Sequence, residues 1–502
     1  MISAAEIPTK SWAAASTEQD EFKRTANIAT SNLALFKAKL FINNEYVDAK
    51  SSDKISVYNP ADETLVTSEV PVAGPEDVDA AVDDARKAFK SGPWKDFTPS
   101  QRASCMMKLA DLIEENGEEL FKLETVAMGA PSYMTPFITK MSTEAWRYYA
   151  GWADKIPGQT FRSEGGKPFT FVTYEPIGVC AGIAPWNASL TTFAWKAGPA
   201  LAAGNTVVFK SSEKAPLGLA AMGDLIKRAG FPSGVVQILS SPGSTGALLA
   251  QHMHVSKISF TGSVATGKKV QEMALKSNMK RVTLELGGKS PAIVFNDADI
   301  ENAVKYCASG LLINTGQACI DSAPPLPDIA PKFIEALTTA FSQTQGLGPL
   351  ADRSQFERVM SFIETGKKEA NLATGGVRVG DKGYYVAPTL FVDPGLDAKI
   401  YKEEIFGRVG TVRTFSTEEE VVELANDTLF GLSATVFTSS ISRALRVAGK
   451  LESGTVGVNT SFMPSIEVPF GGWKESGLGR ELGRDGLSAY LETKTVQINM
   501  QV

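Results

Sequence analysis

Histidine and cysteine are scarce in this sequence, which contains only two histidines and four cysteines among 502 residues. The histidines, His252 and His254, precede an alternating apolar run, and we interpret them as surface residues. A catalytic triad built on histidine or a histidine-rich metal centre is therefore not expected, and we predict no metal. The cysteines lie far apart and show neither zinc-site nor disulfide-scaffold spacing, which favours a reducing compartment.

An excess of positive charge and a long hydrophobic run are also lacking. The 50 lysines and arginines stand against 56 aspartates and glutamates, and no basic block is available to bind nucleic acid or an anionic membrane. No uninterrupted apolar stretch approaches the roughly 20 residues that a bilayer requires. Residues 1–38 resemble neither a secretory signal nor a transit peptide and are expected to be a flexible extension. We predict a cytoplasmic protein.

What the sequence does contain is an alternation of short apolar strands with amphipathic helices. The run PEDVDAAVDDARKAFKSG predicts a helix that Pro75 opens and Gly92 closes. Strands such as GNTVVFKSS, KISFTGS and RVTLELGG are separated by such helices, which predicts an α/β fold with a parallel sheet covered on both faces. A doubly wound sheet carries ligands at the carboxyl ends of its strands, so residues there are candidate site residues.

Two stretches that follow strands have the chemistry to hold a phosphate-bearing ligand. In FTGSVATGKKVQEMAL, Gly262 and Gly267 lie between a strand and a helix whose first turn offers free N–H groups to an anion. A glycine pair of this kind is more often a tight turn. In GNTVVFKSSEKAPL, Lys210 and Glu213 can hydrogen-bond ribose hydroxyls, although each by itself is more often a solvated loop residue.

Three further residues are candidates for acid–base or nucleophilic chemistry. Glu285 ends an apolar strand, where desolvation raises the pKa of a carboxylate towards the range of a general base, unless the side chain turns to water. Asn187, in PWN, can either cap the helix that follows or donate to an oxyanion. Cys319, in INTGQACIDSAPPLPDIAP, is either a nucleophile with a depressed pKa or a desolvated thiol, or an ordinary buried thiol.

Taken in order, these stretches make the chain similar to the NAD(P)-dependent aldehyde dehydrogenase superfamily from about Lys39 to the C-terminus. The motifs that carry the resemblance are PWN, the strand to Lys210 and Glu213, FTGSxxxG, LELGGKSP, GQxC, EEIFG at Glu403–Gly407 and PFGGWKESGLGRELG at Pro469–Gly483. The resemblance implies oxidation of an aldehyde with NAD, and NADP is less expected because Glu213 would repel a 2′-phosphate.

The resemblance also implies a role for each candidate residue. Cys319 is the implied nucleophile, which forms a thiohemiacetal and then a thioester, while Asn187 holds the oxyanion and Glu285 activates the hydrolytic water. The implied catalytic residues are Cys319, Glu285, Asn187 and Lys210. The implied cofactor-binding residues are Lys210, Glu213, Gly262, Ser263, Gly267, Leu286, Glu404 and Phe406.

The implied architecture has a Rossmann-type coenzyme domain, an α/β catalytic domain and a small β-flap for oligomerisation. We predict the coenzyme domain at residues 39–157 and 177–287, the catalytic domain at 288–475, and the flap at 158–176 and 488–502. In the family such a flap extends one subunit's sheet with another's strand, which implies a homodimer or homotetramer.

The sequence departs from the family pattern behind the nucleophile and in the nicotinamide loop. Residues 322–331, SAPPLPDIAP, stand where the family has a β-branched strand, and proline cannot occupy a central strand. The support of Cys319 is therefore expected to be altered. Arg408 stands where the family usually has proline, and it either places its charge near the nicotinamide loop or points outward.

The substrate tunnel is expected to be roomy. Positions that are often aromatic in family members acting on small aldehydes are Ala188, Ile313, Ser461 and Pro464 here, whereas Trp195 and Phe470 remain. The predicted tunnel residues are Trp195, Ile313, Ser461 and Phe470. They favour a medium-sized or large aldehyde, aromatic or terpenoid.

Two other functions remain open at this point. A catalytically silent homologue with a structural or interaction role is favoured by the proline-rich segment and disfavoured by the complete set of candidate residues. Transfer of the acyl group to coenzyme A is disfavoured by Glu285, a base suited to hydrolysis.

Overall fold

The computed structural model describes residues 37–162, 164, 167–319, 329–461 and 464–500. Its strands are β1 (Leu40–Ile42), β2 (Glu45–Val47), β3 (Lys54–Tyr58), β4 (Leu65–Pro71), β5 (Gln159–Phe161), β6 (Phe169–Pro176), β7 (Val179–Ile183), β8 (Thr206–Ser211), β9 (Val236–Ser240), β10 (Lys257–Thr261), β11 (Arg281–Glu285), β12 (Ala292–Val294), β13 (Asn371–Thr374), β14 (Thr389–Val392), β15 (Val409–Val412), β16 (Ser433–Phe437), β17 (Thr455–Val458), β18 (Gly477–Leu478) and β19 (Leu491–Ile498).

The α-helices alternate with these strands through most of the described chain. They are α1 (Pro75–Ser91), α2 (Pro99–Glu115), α3 (Gly117–Met128), α4 (Thr135–Trp152), α5 (Ser189–Ala202), α6 (Leu217–Ala229), α7 (Gly243–Gln251), α8 (Val264–Ser277), α9 (Ile300–Leu312), α10 (Ala330–Gln343), α11 (Arg353–Glu369), α12 (Lys399–Lys402), α13 (Glu418–Asn426), α14 (Ile441–Ala448) and α15 (Gly483–Ser488). Helix α1 begins at Pro75 and is capped by Gly92, as the sequence predicts.

An eight-stranded sheet lies at the centre of the fold, in the order β18-β11-β10-β7-β8-β9-β1-β2. Strands β11, β10, β7, β8 and β9 run parallel to their neighbours, whereas β1, β2 and β18 add antiparallel edges. Strands β7, β8 and β9 are buried along their whole length, because helices cover both faces of a parallel sheet. The predicted α/β fold class is confirmed.

The chain after β11 forms two smaller three-stranded sheets, β12-β16-β17 and β13-β14-β15. Helices α9 and α10 pack against them around Phe333, Leu337 and Phe341. The predicted disturbance behind Cys319, residues 322–331, falls mostly on 320–328, which lie outside the described residues. That prediction is therefore not tested.

A third three-stranded sheet joins the end of the described chain to its middle. Strand β19 pairs antiparallel with β6 over eight residues, from Leu491 opposite Pro176 to Ile498 opposite Phe169, and β5 lies on the other side of β6. The predicted flap segments thus lie together, while the domain boundaries and the oligomeric state stay predictions. The predicted N-terminal extension lies almost entirely outside the described residues.

None of the described helices combines the length and the apolar composition that a membrane span requires.

Candidate functional site

A deep cleft of about 1010 Å³ opens at the carboxyl ends of the parallel strands. Because the strands run parallel, the residues that follow them meet at one edge of the sheet. Every predicted catalytic, cofactor-binding and tunnel residue lines this cleft, with the exception of Gly267 and Ser461.

Gly267 and Ser461 occupy other places. A Cβ atom at Gly267 would lie 2.6 Å from Leu286 Cδ2, so glycine lets α8 pack closely on the Leu286 side chain after β11. Ser461 lies beside Gly310 of α9, since a Cβ atom at Gly310 would be 3.9 Å from the Ser461 Cβ. Neither residue lines the cleft, so neither is placed to contact cofactor or substrate there.

Cys319 is partly exposed, whereas the other three cysteines are buried, as predicted. Burial raises the pKa of its thiol to about 12, and the carboxyl groups of Glu404 and Glu285 act in the same direction. The raised pKa agrees with a desolvated thiol rather than with a depressed pKa. Its backbone is held closely, because a Cβ atom at Gly288 would lie 2.5 Å from the Cys319 carbonyl oxygen.

Glu285 is the terminal residue of β11 and is only 3% exposed, so the alternative that it turns to water is wrong. Neither carboxyl oxygen has a hydrogen-bond partner among the described residues. Burial raises its pKa well above the usual range, and Glu481 adds to this effect while Lys196 opposes it. The expected direction of the shift is confirmed.

Asn187 does not cap α5, whose N-cap residue is Ala188, so the capping alternative is wrong. The Asn187 Nδ2 donates to the carbonyl oxygen of Gln317 at 2.9 Å, and Asn314 Nδ2 donates to the Asn187 carbonyl oxygen at 3.2 Å. These bonds tie the loop after β7 to the loop that carries Cys319. Since a primary amide has two N–H groups, one remains for a ligand.

Lys210 is the last residue but one of β8, lines the cleft and is 3% exposed. Its Nζ lies 3.7 Å from Oε2 of Glu213, which is exposed at the rim. Burial lowers the pKa of Lys210, and Glu213 partly restores it. An ammonium group has three donors, so Lys210 fits a ligand rich in hydroxyl groups.

The start of α8 faces the same cleft. Ser263 caps this helix by accepting from the Thr266 N–H at 3.3 Å. A Cβ atom at Gly262 would lie 2.5 Å from Phe260 Cζ, so the turn into the helix requires glycine. Free N–H groups in a first turn suit an anion such as a pyrophosphate.

The opposite wall of the cleft carries Glu404 and Phe406. Glu404 Oε1 accepts from the Gly288 N–H at 3.1 Å, and a Cβ atom at Gly287 would meet Glu404 Oε2 at 2.2 Å. Phe406 has φ 60° and packs edge-on against Trp186 with the ring centroids 5.3 Å apart. Together with Lys210 and the α8 turn, these residues fit a dinucleotide.

Arg408 neither points outward nor lines the cleft. It is 4% exposed, and its Nη1 donates to the Val386 carbonyl oxygen at 2.8 Å. Its Nε and Nη2 have no partner among the described residues. Burial lowers the pKa of the guanidinium to about 9, so the expectation of an outward side chain is wrong.

Sequence reasoning missed a buried ion pair beside Glu285. Lys196, on the fully buried helix α5, contacts the Glu481 carboxylate, and the Ser259 hydroxyl donates to Glu481 Oε1 at 3.0 Å. Glu481 lines the cleft. A signal was present, because a lysine within the apolar run FAWKAGPALAA needs a buried partner.

The apolar end of the cleft is the predicted tunnel. The rings of Trp195 and Phe470 meet at 67° with centroids 5.8 Å apart, and Ile313, Ala188 and Pro464 line the same region. The side chains at the last three positions carry no aromatic ring.

Comparison with known proteins identifies a family. The model of the aldehyde dehydrogenase family matches residues 46–496. An aldehyde dehydrogenase of Emericella nidulans is 44% identical over 474 residues, which cover 92% of this chain and 95% of the relative.

Two solved structures show the same fold. An aldehyde dehydrogenase from Bacillus cereus, in its NAD+ complex, is 42% identical with a TM-score of 0.89, and the match covers 92% of this chain and 96% of that one. The P. syringae AldA indole-3-acetaldehyde dehydrogenase, a mutant in complex with NAD+ and IAA, is 36% identical with a TM-score of 0.91, covering 96% and 99%.

Proposed function

The chain belongs to the aldehyde dehydrogenase family, and on that premise we propose that it uses NAD to oxidise a medium-sized or large apolar aldehyde, aromatic or terpenoid, to the carboxylic acid. The observation that carries the proposal is one cleft that unites Cys319, Asn187 and Glu285 with the buried Lys210. NAD, when bound, supplies the acceptor for the aldehyde hydride.

Cys319 forms the covalent bond to the substrate. The thiol gives its proton to water, its sulfur attacks the carbonyl carbon, and the π electrons of the carbonyl group move to the oxygen to give the oxyanion of a thiohemiacetal. The free N–H of Asn187 and the backbone N–H of Cys319 donate to this oxyanion. Loss of hydride from the same carbon leaves a thioester on Cys319.

Glu285 completes the reaction by hydrolysis. Its carboxylate takes a proton from water, the resulting hydroxide attacks the thioester carbon, and the carbon–sulfur bond breaks to release the acid and the thiol. The buried position of Glu285, without hydrogen-bond partners among the described residues, keeps it basic enough for this task.

Lys210, Glu213, Glu404 and the α8 turn hold the cofactor. Lys210 donates to a ribose, and Glu404 accepts from the other ribose at the nicotinamide end beside Phe406. Glu213 stands exposed at the rim near Lys210, where its charge repels a 2′-phosphate, so NAD is preferred to NADP.

The lining of the cleft supports the substrate class. Ala188, Ile313 and Pro464 carry no aromatic ring and lie in the same cleft as the Trp195 and Phe470 rings, and an apolar ligand gains by contact with such a lining. The relative named for indole-3-acetaldehyde is an example of a family member whose substrate is a bulky aromatic aldehyde. We also propose that the protein is a homodimer or homotetramer in the cytoplasm.

Formation of NADH by the purified protein, given NAD and a panel of aliphatic, aromatic and terpenoid aldehydes, tests this function. We expect the highest kcat/KM with the bulky members and no turnover by Cys319→Ala. Cys307→Ala is the matched control, since Cys307 is a buried thiol outside the cleft.

Each alternative makes its own prediction in this assay. A silent homologue binds NAD and produces no NADH with any aldehyde. Equal kcat/KM for acetaldehyde and a bulky aromatic aldehyde contradicts the substrate class while leaving the reaction intact.

A further inference from the structure

Glu124 is a buried carboxyl group to which the proposed reaction gives no role. It lies on α3, is 5% exposed, and accepts from the Ser189 hydroxyl through Oε2 at 2.8 Å. Burial raises its pKa to about 8. Burying a carboxyl group is costly unless it is hydrogen-bonded or protonated, so its position needs a reason.

The carboxyl group of Glu124 lies between the starts of two helices. Ser189 is the first residue of α5 and follows Asn187 by two positions. Gly218 is the second residue of α6, and a Cβ atom there would lie 2.2 Å from Glu124 Oε1. Oε1 has no hydrogen-bond partner among the described residues, and the nearby Gly218 N–H lowers the pKa of Glu124 less than burial raises it.

These two helices carry different parts of the site. The loop before α5 holds Asn187, and the loop before α6 follows β8 and holds Glu213 next to Lys210. One carboxyl group therefore contacts the element for oxyanion binding and the element for cofactor binding. Glu124 Oε2 accepts the Ser189 hydroxyl at the start of α5, and Oε1 packs closely against Gly218 in the first turn of α6.

A small cavity of about 20 Å³ continues from Glu124 towards the site. It is lined by Glu124 together with Asn187, Ala188 and Asn314. The space behind the Asn187 loop is thus not completely filled. The hydrogen bond from the Ser189 hydroxyl to Glu124 holds the end of that loop.

We propose that Glu124 is a positioning residue that ties the start of α5 to the start of α6 and so sets where the Asn187 amide lies relative to the cofactor loop. The proposal deepens the proposed function and rests on the oxyanion role of Asn187. Misplacement of a binding group by about 1 Å costs on the order of 10²-fold in rate, so a small shift of α5 has a large effect.

Glutamine is the conservative replacement for Glu124. A pKa of about 8 leaves the carboxyl group mostly protonated and uncharged at neutral pH. A glutamine amide has the same shape, can accept from the Gly218 N–H, and can donate to the Ser189 oxygen. Position is therefore kept in Glu124→Gln and lost in Glu124→Ala.

The experiment compares kcat, KM and the melting temperature of Glu124→Ala, Glu124→Gln and Thr125→Val. Thr125 is the matched control, because it is the next residue of α3, is also buried, and donates to the Ala130 carbonyl oxygen at 2.9 Å away from the cleft. We expect Glu124→Ala to lower kcat about tenfold to a hundredfold, with KM for NAD and for aldehyde changed far less. Glu124→Gln restores kcat, and Thr125→Val lowers only the melting temperature.

Two outcomes overturn the proposal. If Glu124→Gln is as slow as Glu124→Ala, the charge of the carboxylate matters and its position does not. If Glu124→Ala loses no more kcat than Thr125→Val, the group is only structural.

Ser189→Ala supplies a second test that keeps Glu124 in place. The double variant Glu124→Ala/Ser189→Ala should be no slower than Glu124→Ala alone, whereas additive losses count against a shared attachment.

Asn187→Ala separates the two proposals. A wild-type kcat in that variant defeats the oxyanion role. A large loss of kcat in Asn187→Ala together with a wild-type kcat in Glu124→Ala defeats only the positioning role.

Discussion

Cys319 and Glu285 share one electrostatic property at the residue scale. Both line the cleft, and desolvation raises both pKa values. A protonated thiol is a poor nucleophile and a protonated carboxyl group is a poor base, so each must lose its proton before it acts. The resting thiol is therefore less reactive towards other electrophiles than a thiolate.

Replacing Glu285 by glutamine separates the two halves of the reaction. The variant should still form the thioester but hydrolyse it slowly, because the amide cannot take a proton from water. We expect a rapid burst of NADH of about one equivalent per Cys319, then a steady rate lower by on the order of 10²-fold or more. Rapid-mixing kinetics and intact-mass detection of the acyl-enzyme check this, and an unchanged steady rate assigns the base to another group.

Arg408 is a positively charged side chain that is buried in the folded protein. Its guanidinium has one hydrogen bond to Val386, and its pKa is lowered to about 9. Arg408→Met should raise the free energy of unfolding at neutral pH by about 1 to 3 kcal/mol, because a desolvated charge is removed. Chemical denaturation measures this, with the more exposed Arg446→Met as the control that should gain nothing.

The pH dependence of the Arg408→Met gain has a defined sign. The folded-state pKa lies below the unfolded value, so at high pH the unfolded wild type binds more protons and the wild type becomes relatively more stable as pH rises past about 9. The gain in the variant should therefore shrink there. A gain that grows with pH contradicts the assignment.

At the scale of single elements, the flap was implied by the family resemblance, and the sequence pattern added a late strand that pairs elsewhere. LETKTVQINM alternates in the way of a strand, and the structure pairs β19 with β6 in full register. Among the described residues β5 pairs only with β6 and its side chains are exposed, so we expect this edge of the sheet to be open to pairing with another subunit.

Removing residues 492–502 takes away nearly all of β19. We expect the uncovered β6 to lose its place in the flap, and the predicted dimer or tetramer to dissociate or aggregate. Analytical ultracentrifugation reports the change in mass. Removal of residues 499–502, which leaves β19 complete, is the control, and an unaltered mass in the longer truncation contradicts the role of the flap.

The elements also explain which site residues could be predicted. Lys210 and Glu285 lie at the carboxyl ends of apolar strands. The alternation of strands and helices places such strand ends at one edge of a sheet, so both residues could be predicted from the sequence. The Asn187 to Gln317 bond and the Lys196 to Glu481 pair join distant parts of the chain. The local sequence around each of these residues does not indicate its distant partner, so the contacts could be found only in the structure.

At the scale of the whole molecule, the cleft couples ligand binding to global stability. The proposed cofactor residues come from β8, α8 and the loop before β15, so a dinucleotide bound there would connect two sheets. Binding to the folded state alone stabilises it by about 2.7 kcal/mol at a ligand concentration of one hundred times Kd.

Thermal unfolding should therefore discriminate the two cofactors. We expect NAD to raise the melting temperature more than NADP at equal concentration, because the Glu213 charge repels a 2′-phosphate. Glu213→Gln should enlarge the NADP shift and leave a substantial NAD shift. Equal shifts in the wild-type protein would refute the predicted preference.

The pairing of β18 with β11 has a consequence for biosynthesis. Residues Gly477 and Leu478 bond to Glu285 and Leu284, so the strand that ends in the proposed base has an unprotected flank until a much later part of the polypeptide has been translated. A ribosome-bound nascent chain that stops before β18 therefore lacks a finished active site. Enzymatic activity arises only after translation has passed this point, and until then the open flank is a natural target for chaperones.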